Sequence, residues 1–259
     1  MTEQSFKDGQ IIIRRCDMFS EEGLGSLTAG SVAAIITDFP YGIANKRGGT
    51  NNWDSPVDLA RFWEETKTIR GNNTPVITTS SMPFTATLVA SNPKEFKYTW
   101  VWEKSKASGY LNAKKQPMRA HEDIVVFCNG ACLYNPQMTP GTPYDKGTAV
   151  RDTPVYGEQT KAVHVHNDSG LRYPRSVQYF KTAESEGKLH PTQKPVALFE
   201  YLIKTYTNEG DLVLDPCMGS GTTALACLRT GRRFIGFEVD ETFFERARLR
   251  ISEKIEKKS

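Results

Sequence analysis

Residues 215–224 read Asp-Pro-Cys-Met-Gly-Ser-Gly-Thr-Thr-Ala, between an aliphatic run and a helical stretch. Paired glycines let the backbone turn sharply and approach a ligand, while the free N–H groups at the start of the following helix attract negative or polar ligand groups. Glu238 closes the next aliphatic run, 17 residues after Gly221. A carboxylate there can accept hydrogen bonds from both hydroxyls of a ribose. Met218, Gly219, Gly221, Thr222 and Thr223, with Asp215 and Glu238, are therefore the expected nucleotide-type binding residues. The spacing Gly219-x-Gly221-x-x-Ala224 satisfies the dinucleotide fingerprint, so a nicotinamide-dependent oxidoreductase is one reading. The other starts from Asp215-Pro216 ahead of the glycines, because an acid at a strand end suits a ligand carrying a cation, such as the amino group of S-adenosylmethionine. No lysine follows the second glycine, which excludes a Walker phosphate loop.

A second cluster lies near the other end of the chain. Val32–Thr37 leads into Asp38-Phe39-Pro40-Tyr41-Gly42, placing these residues at the C-terminal edge of a strand, where α/β sites are built. The tetrapeptide resembles the Asp-Pro-Pro-Tyr motif of the DNA amino-methyltransferases. The resemblance extends to Arg119-Ala-His-Glu-Asp-Ile-Val-Val-Phe127, Tyr134-Asn-Pro-Gln-Met138, Tyr173-Pro-Arg-Ser176, His190-Pro-Thr-Gln-Lys-Pro195 and the Asp215 loop, in that order. This covers most of the chain and is similar to the permuted, beta-type arrangement of the DNA N-4/N-6 methylases, as found in restriction–modification systems. Phe39 departs from the family's usual proline.

The resemblance implies S-adenosylmethionine as cofactor, DNA as partner and a homodimer as an allowed assembly. It places Asp17 near the cofactor's adenine, Thr192 and Lys194 near its methionine end, and Asp38, Phe39, Pro40 and Tyr41 at the reaction. An exocyclic amine is a poor nucleophile because its lone pair is delocalised into the ring. Two acceptors aimed at its N–H bonds, the Asp38 carboxylate and the Phe39 carbonyl, favour a pyramidal nitrogen and stabilise the positive charge that develops as the methyl arrives. The amine is buried in a duplex, so its base must flip out, and Tyr41 offers a flat face to it. An aspartate at the head of the motif resembles adenine N6 enzymes, whereas cytosine N4 enzymes usually begin with serine. Cytosine N4 methylation is the alternative, and Phe39 also allows a catalytically silent DNA-binding relative. Cys217 follows a proline, as the nucleophile of cytosine C5 enzymes does, but an amine needs no covalent activation, and Cys217 is read as packing.

These residues need a scaffold. Ile11–Ile13, Val32–Ile36, Pro75–Thr79, Asp211–Leu214 and Arg233–Phe237 read as strands, with helices over Val57–Arg70, Thr222–Arg229 and from Glu241 onward. The last helix carries Phe244, Ala247, Ile251 and Ile255 on one face. The expectation is a Rossmann-like, doubly wound, mostly parallel α/β sheet. Its catalytic half spans residues 1–103, an inserted loop-rich target-recognition region 104–187, with sheet strands allowed near 123–128, and the cofactor-binding half 188–259. Residues Tyr134–Arg175 hold five prolines and few aliphatics, so long loops are expected there. Tyr98–Trp102 reads most plainly as an edge strand. Lys104, Lys106, Lys114, Lys115 and Arg119, interleaved with aromatics, are candidate phosphate contacts, as are Lys46 and Arg47 in a loop that could close on DNA.

The 259 residues carry 33 Lys and Arg against 30 Asp and Glu, a net +3 that permits nucleic acid as partner without requiring it. Five scattered cysteines argue against a disulfide framework and for a reducing cytoplasm. Cys128, Cys132, His164 and His166 lack a recognisable zinc pattern, so no metal is expected. No stretch is long and apolar enough to cross a membrane.

Overall fold

The computed structural model describes residues 2–42, 55–149, 162–186 and 193–256. Lys46, Arg47 and Thr192, expected to meet DNA or cofactor, lie outside the described residues. In chain order the first elements are β1 (Thr2–Phe6), β2 (Ile11–Arg15), β3 (Ala34–Thr37), α1 (Leu59–Ile69), β4 (Val76–Ser80), α2 (Phe84–Ser91), β5 (Phe96–Ser108) and β6 (Arg119–Phe127). There follow β7 (Tyr144–Ala149), β8 (Val163–Asn167), β9 (Val177–Phe180), α3 (Val196–Tyr206), β10 (Leu212–Asp215), α4 (Thr222–Thr230), β11 (Arg233–Glu238) and α5 (Glu241–Glu256).

Among the described residues, nine strands form one sheet in the order β1-β2-β11-β10-β3-β4-β6-β5-β9. Pairing is parallel from β2 through to β4 and between β5 and β9, and antiparallel for β1 with β2 and for β6 with both β4 and β5. Side chains alternate across a strand, so β3 feeds two cores at once. Ala34 and Ile36 pack with Leu198 and Leu202 of α3, Leu225 of α4, and Phe244, Ala247 and Ile251 of α5. Ile35 packs in the other core with Phe62 and Trp63 of α1 and Leu88 of α2. Helices thus clothe both faces, and the sheet is doubly wound as the strand–helix alternation predicts.

The middle of the chain differs from expectation. Strand β5 is 13 residues long; β6 pairs along one side of it and β9 covers the other side over Val101–Lys104, so of the expected edge strand Tyr98–Trp102 only Tyr98–Trp100 is left without a second strand partner among the described residues. Of the region 104–187, the end of β5, β6 and β9 all belong to the large sheet, whereas Pro136–Arg175 forms a compact unit of its own. That unit contains an antiparallel ribbon, β7 with β8, where only loops are expected from its sparse aliphatics. Among its described residues, Thr139 and Arg172 exchange backbone hydrogen bonds, and the Arg172 guanidinium lies 4.8 Å from the Tyr144 ring centroid. Helix α2, whose residues lack a clear polar face, is also absent from the sequence-based expectation.

Candidate active site

Strands β10 and β3 lie side by side and parallel, yet the chain leaves them in opposite directions, β10 toward β11 and β3 toward β4. Such a switch point opens a crevice at the C-terminal strand ends. Asp215 ends β10, and Asp38 directly follows β3. The Asp215 carboxylate is fixed from both sides: Thr37 donates to Oδ1 at 2.7 Å, Thr223 to Oδ2 at 2.5 Å, and the Cys217 N–H to Oδ1 at 3.1 Å. Burial nevertheless pushes its pKa up to about 6, the three donors offsetting only part of the desolvation.

The glycine loop turns through Gly219 and Gly221, both in the left-handed region, and Gly221 caps α4. A Cβ on Gly221 would be strained by the positive φ and would also crowd the Ala247 Cβ of α5 at 3.2 Å. Arg250 of α5 secures the loop from below through one guanidinium nitrogen, which donates to the Ser220 carbonyl and hydroxyl and to Thr222 Oγ1. Glu238 ends β11 and accepts the N–H of Gly219 at 3.0 Å on one oxygen and that of Asp240 at 2.8 Å on the other. Each oxygen keeps a lone pair, and burial raises this carboxyl to about 7. The Cys217 thiol is held well above its ordinary range, by burial first and then by the acids Asp215, Glu238, Asp38 and Asp17. A thiolate nucleophile is disfavoured in that field, in keeping with the packing role.

Asp38 sits in a dense polar cluster. Its Oδ1 accepts hydroxyl hydrogen bonds from Tyr41 at 2.9 Å and from Thr79 of β4, and its Oδ2 pairs with Lys194 Nζ at 2.7 Å. The Tyr41 ring stacks on Phe84 of α2, centroids 4.9 Å apart. Phe39 turns its ring into the α1 core, where it is 2% exposed. Lys194 also faces Glu122 Oε2 at 3.5 Å, and the other oxygen of Glu122 meets Lys104 Nζ at 3.3 Å. Lys104 is thus directed inward, with a side chain 7% exposed, rather than outward to a phosphate as its place in a basic segment suggests.

A cleft of about 1170 Å³ gathers most of the expected site: Asp17, Asp38, Phe39, Pro40, Tyr41, Lys194, Asp215, Met218, Gly219, Thr222, Thr223 and Glu238 all line it, together with Lys104 and Lys106. Asp17 is exposed at the cleft and caps a turn by accepting the Phe19 N–H at 2.7 Å. Lys106 pairs with Glu184 on the surface, Lys114 and Lys115 are exposed beyond β5, and Arg119 donates to Ser81 at 2.8 Å. These last three do not line the cleft. Among the described residues, no group of three or more His, Cys, Asp or Glu is placed to hold a metal ion.

Sequence reasoning did not single out Glu122, Thr37, Thr79 or Arg250. Two of them leave a trace: Glu122 is a charge entering the buried run Ile124–Phe127, and Arg250 interrupts the apolar face of α5 beside Ile251.

Fold and crevice together are those of a Rossmann-like α/β protein with its site at the switch point of the sheet. A family model described as DNA methylase, of the N6/N4 type, matches residues 32–249. Type II methyltransferase M.HpaI of Haemophilus parainfluenzae is 25% identical over 238 residues, 89% of this chain and 71% of that protein. Among solved structures, the M1.HpyAVI–SAM complex superposes with a TM-score of 0.63 at 23% identity, over 93% of this chain and 98% of that one. The cytosine-N4-specific PvuII DNA methyltransferase gives 0.62 at 16% identity, over 93% and 86%. The chain belongs to the DNA methylase family, whose members are S-adenosylmethionine-dependent N4/N6 amino-methyltransferases. The nicotinamide reading of the glycine spacing falls with that membership.

Proposed function

We propose that this protein methylates the N6 amine of a flipped adenine in DNA, with Asp38 as the residue that orients the amine. The carrying observation is the junction of two distant motifs: Thr37, one residue before Asp38, donates to Asp215 of the glycine loop at 2.7 Å. That hydrogen bond sets the tetrapeptide beside the loop expected to hold the cofactor.

The chemistry of the donor set fits S-adenosylmethionine. Glu238 has a free lone pair on each oxygen for the ribose hydroxyls, Gly219 has open space where a side chain would stand, and Asp215, Asp38 and Asp17 make the cleft acidic toward a cationic ligand. When bound, the cofactor supplies an activated methyl group on a sulfonium. The protein's own residues orient the acceptor. Asp38 and the Phe39 carbonyl would accept the two N–H bonds of the amine, directing its lone pair at the methyl and stabilising the cationic nitrogen that forms. A neutral aryl amine is too weak an acid to lose a proton to a carboxylate beforehand, so the proton leaves after transfer. Tyr41, fixed by Phe84 and Asp38, would present its remaining face to the base. The choice of adenine rests on the aspartate that opens the tetrapeptide, and the Phe39 ring, turned into the core, leaves room for a purine.

DNA incubated with protein and labelled cofactor, digested to nucleosides and resolved by mass spectrometry, tests this reading. N6-methyladenine is expected, and its formation should cease in Asp38→Ala. N4-methylcytosine in its place would reassign the base, and no methyl incorporation would leave a silent relative.

A further inference from the structure

Lys194 stands between two carboxylates. Its Nζ is 2.7 Å from Asp38 Oδ2 and 3.5 Å from Glu122 Oε2. On Asp38, Oδ1 already accepts the hydroxyls of Tyr41 and Thr79, so Oδ2 is the oxygen an incoming amine would use, and Lys194 takes one of its two lone pairs at 2.7 Å. On Glu122, Oε1 is held by Lys104 at 3.3 Å, whereas Oε2 is buried and accepts no hydrogen bond. A buried carboxylate oxygen without a donor is costly, and native structures rarely keep one without a use for it. Here the nearest donor is the ammonium already engaged with Asp38.

We propose that Glu122 is a positioning residue that draws Lys194 off Asp38 as the target amine enters, freeing Asp38 Oδ2 to accept the amine N–H. The movement exchanges one ion pair for another inside the same cluster, so the net charge of the buried groups is unchanged and no ion is left alone in a poorly solvated site. Lys194 remains an ammonium: burial alone would lower its pKa, but Asp38 and Glu122 outweigh that and the net shift is upward. Without Glu122, freeing Asp38 would strand that ammonium, and the amine would have to compete with it. This inference rests on the reading of Asp38 as the orienting residue.

The test compares single-turnover methyl transfer in the wild type, Glu122→Gln, Glu122→Asp, Lys194→Met and the Glu122→Gln/Lys194→Met pair, with cofactor affinity measured for each. Transfer by the wild type establishes the underlying reading; its absence would count against that reading and not against Glu122 alone. Glu122→Gln keeps the shape and removes the charge, and is expected to slow transfer by about tenfold or more while cofactor affinity and the KM for DNA stay within about twofold. Glu122→Asp should recover most of the rate, and in the Lys194→Met background the Glu122→Gln penalty should shrink to about twofold or less, since no ammonium is left to withdraw. A Glu122→Gln rate within about twofold of an active wild type, an aspartate variant as slow as the glutamine one, or an undiminished penalty without Lys194 would each overturn the proposal.

Discussion

Phe39 and Phe62 meet edge to face, with ring centroids 4.9 Å apart and planes at 80°. The side chain at the one position that departs from the family's tetrapeptide therefore serves the core beneath α1, and what this position offers to chemistry comes from its main chain. Any of several apolar residues can supply a carbonyl; few can fill that space.

Truncating Phe39 should consequently separate stability from catalysis. Phe39→Ala removes a fully packed ring and is expected to cost about 3–5 kcal/mol of stability, read by urea unfolding. Below the unfolding transition, its single-turnover methyl transfer should change by less than about tenfold, because the carbonyl remains. A collapse of the rate with stability preserved would show that the ring itself shapes the site.

The two buried acids predict an unusual pH dependence. Burial raises Glu238 from 4.5 to about 7 and Asp215 from 3.8 to about 6. A carboxyl that holds its proton more tightly when folded stabilises fully below its unfolded value and loses that contribution as pH rises through the folded one. The ligand-free protein should therefore lose stability from about pH 4 to about pH 7 through these groups, and Glu238→Gln should flatten the upper part of the curve. Cofactor affinity should run the other way, rising across the same window as Glu238 ionises and becomes a better acceptor for ribose hydroxyls. Melting temperatures with and without cofactor across this range check both signs. A pH-independent cofactor shift would argue against Glu238 as its ribose ligand.

DNA binding should distinguish lysines that look alike in sequence. Lys114 and Lys115 are exposed, whereas Lys104 is engaged with Glu122. Replacing Lys114 and Lys115 by alanine is expected to reduce the slope of log affinity against log salt by about one unit for each phosphate no longer neutralised. Lys104→Ala should leave that slope unchanged and lower stability, since it strips a buried carboxylate of a partner. Equal slopes for wild type and the double alanine variant would place those two lysines facing solvent only.

What the sequence disclosed, and what it withheld, follows the range of the interactions concerned. The glycine loop, its acid and the capping glycine of α4 are local: Asp215, Gly219, Gly221 and Glu238 lie within a single βαβ unit, and their spacing carries the geometry. The parallel strands were legible because a strand buried on both faces needs an unbroken aliphatic run such as Val32–Ile36. Strand β5 was legible only over Tyr98–Trp102, because beyond that stretch its charged and polar residues alternate irregularly and its partner β9 arrives from beyond the Pro136–Arg175 unit. Thr79 and Glu122 reach Asp38 and Lys194 only through the β3–β4–β6 pairing, a long-range fact that no local pattern encodes. Lys104 misled for the same reason: a lysine in a basic stretch reads as solvated until the strand beside it proves to carry an acid.

The Thr37–Asp215 hydrogen bond joins residues 178 positions apart, across the β3–β10 pairing. Closing so long a loop is entropically unfavourable before its interactions form, and chains dominated by such pairings fold slowly. It follows that neither chain half builds a working crevice, and that methyl transfer should appear late during refolding, after most helical signal has returned. Activity in this protein is thus a reporter of the completed topology rather than of any one segment.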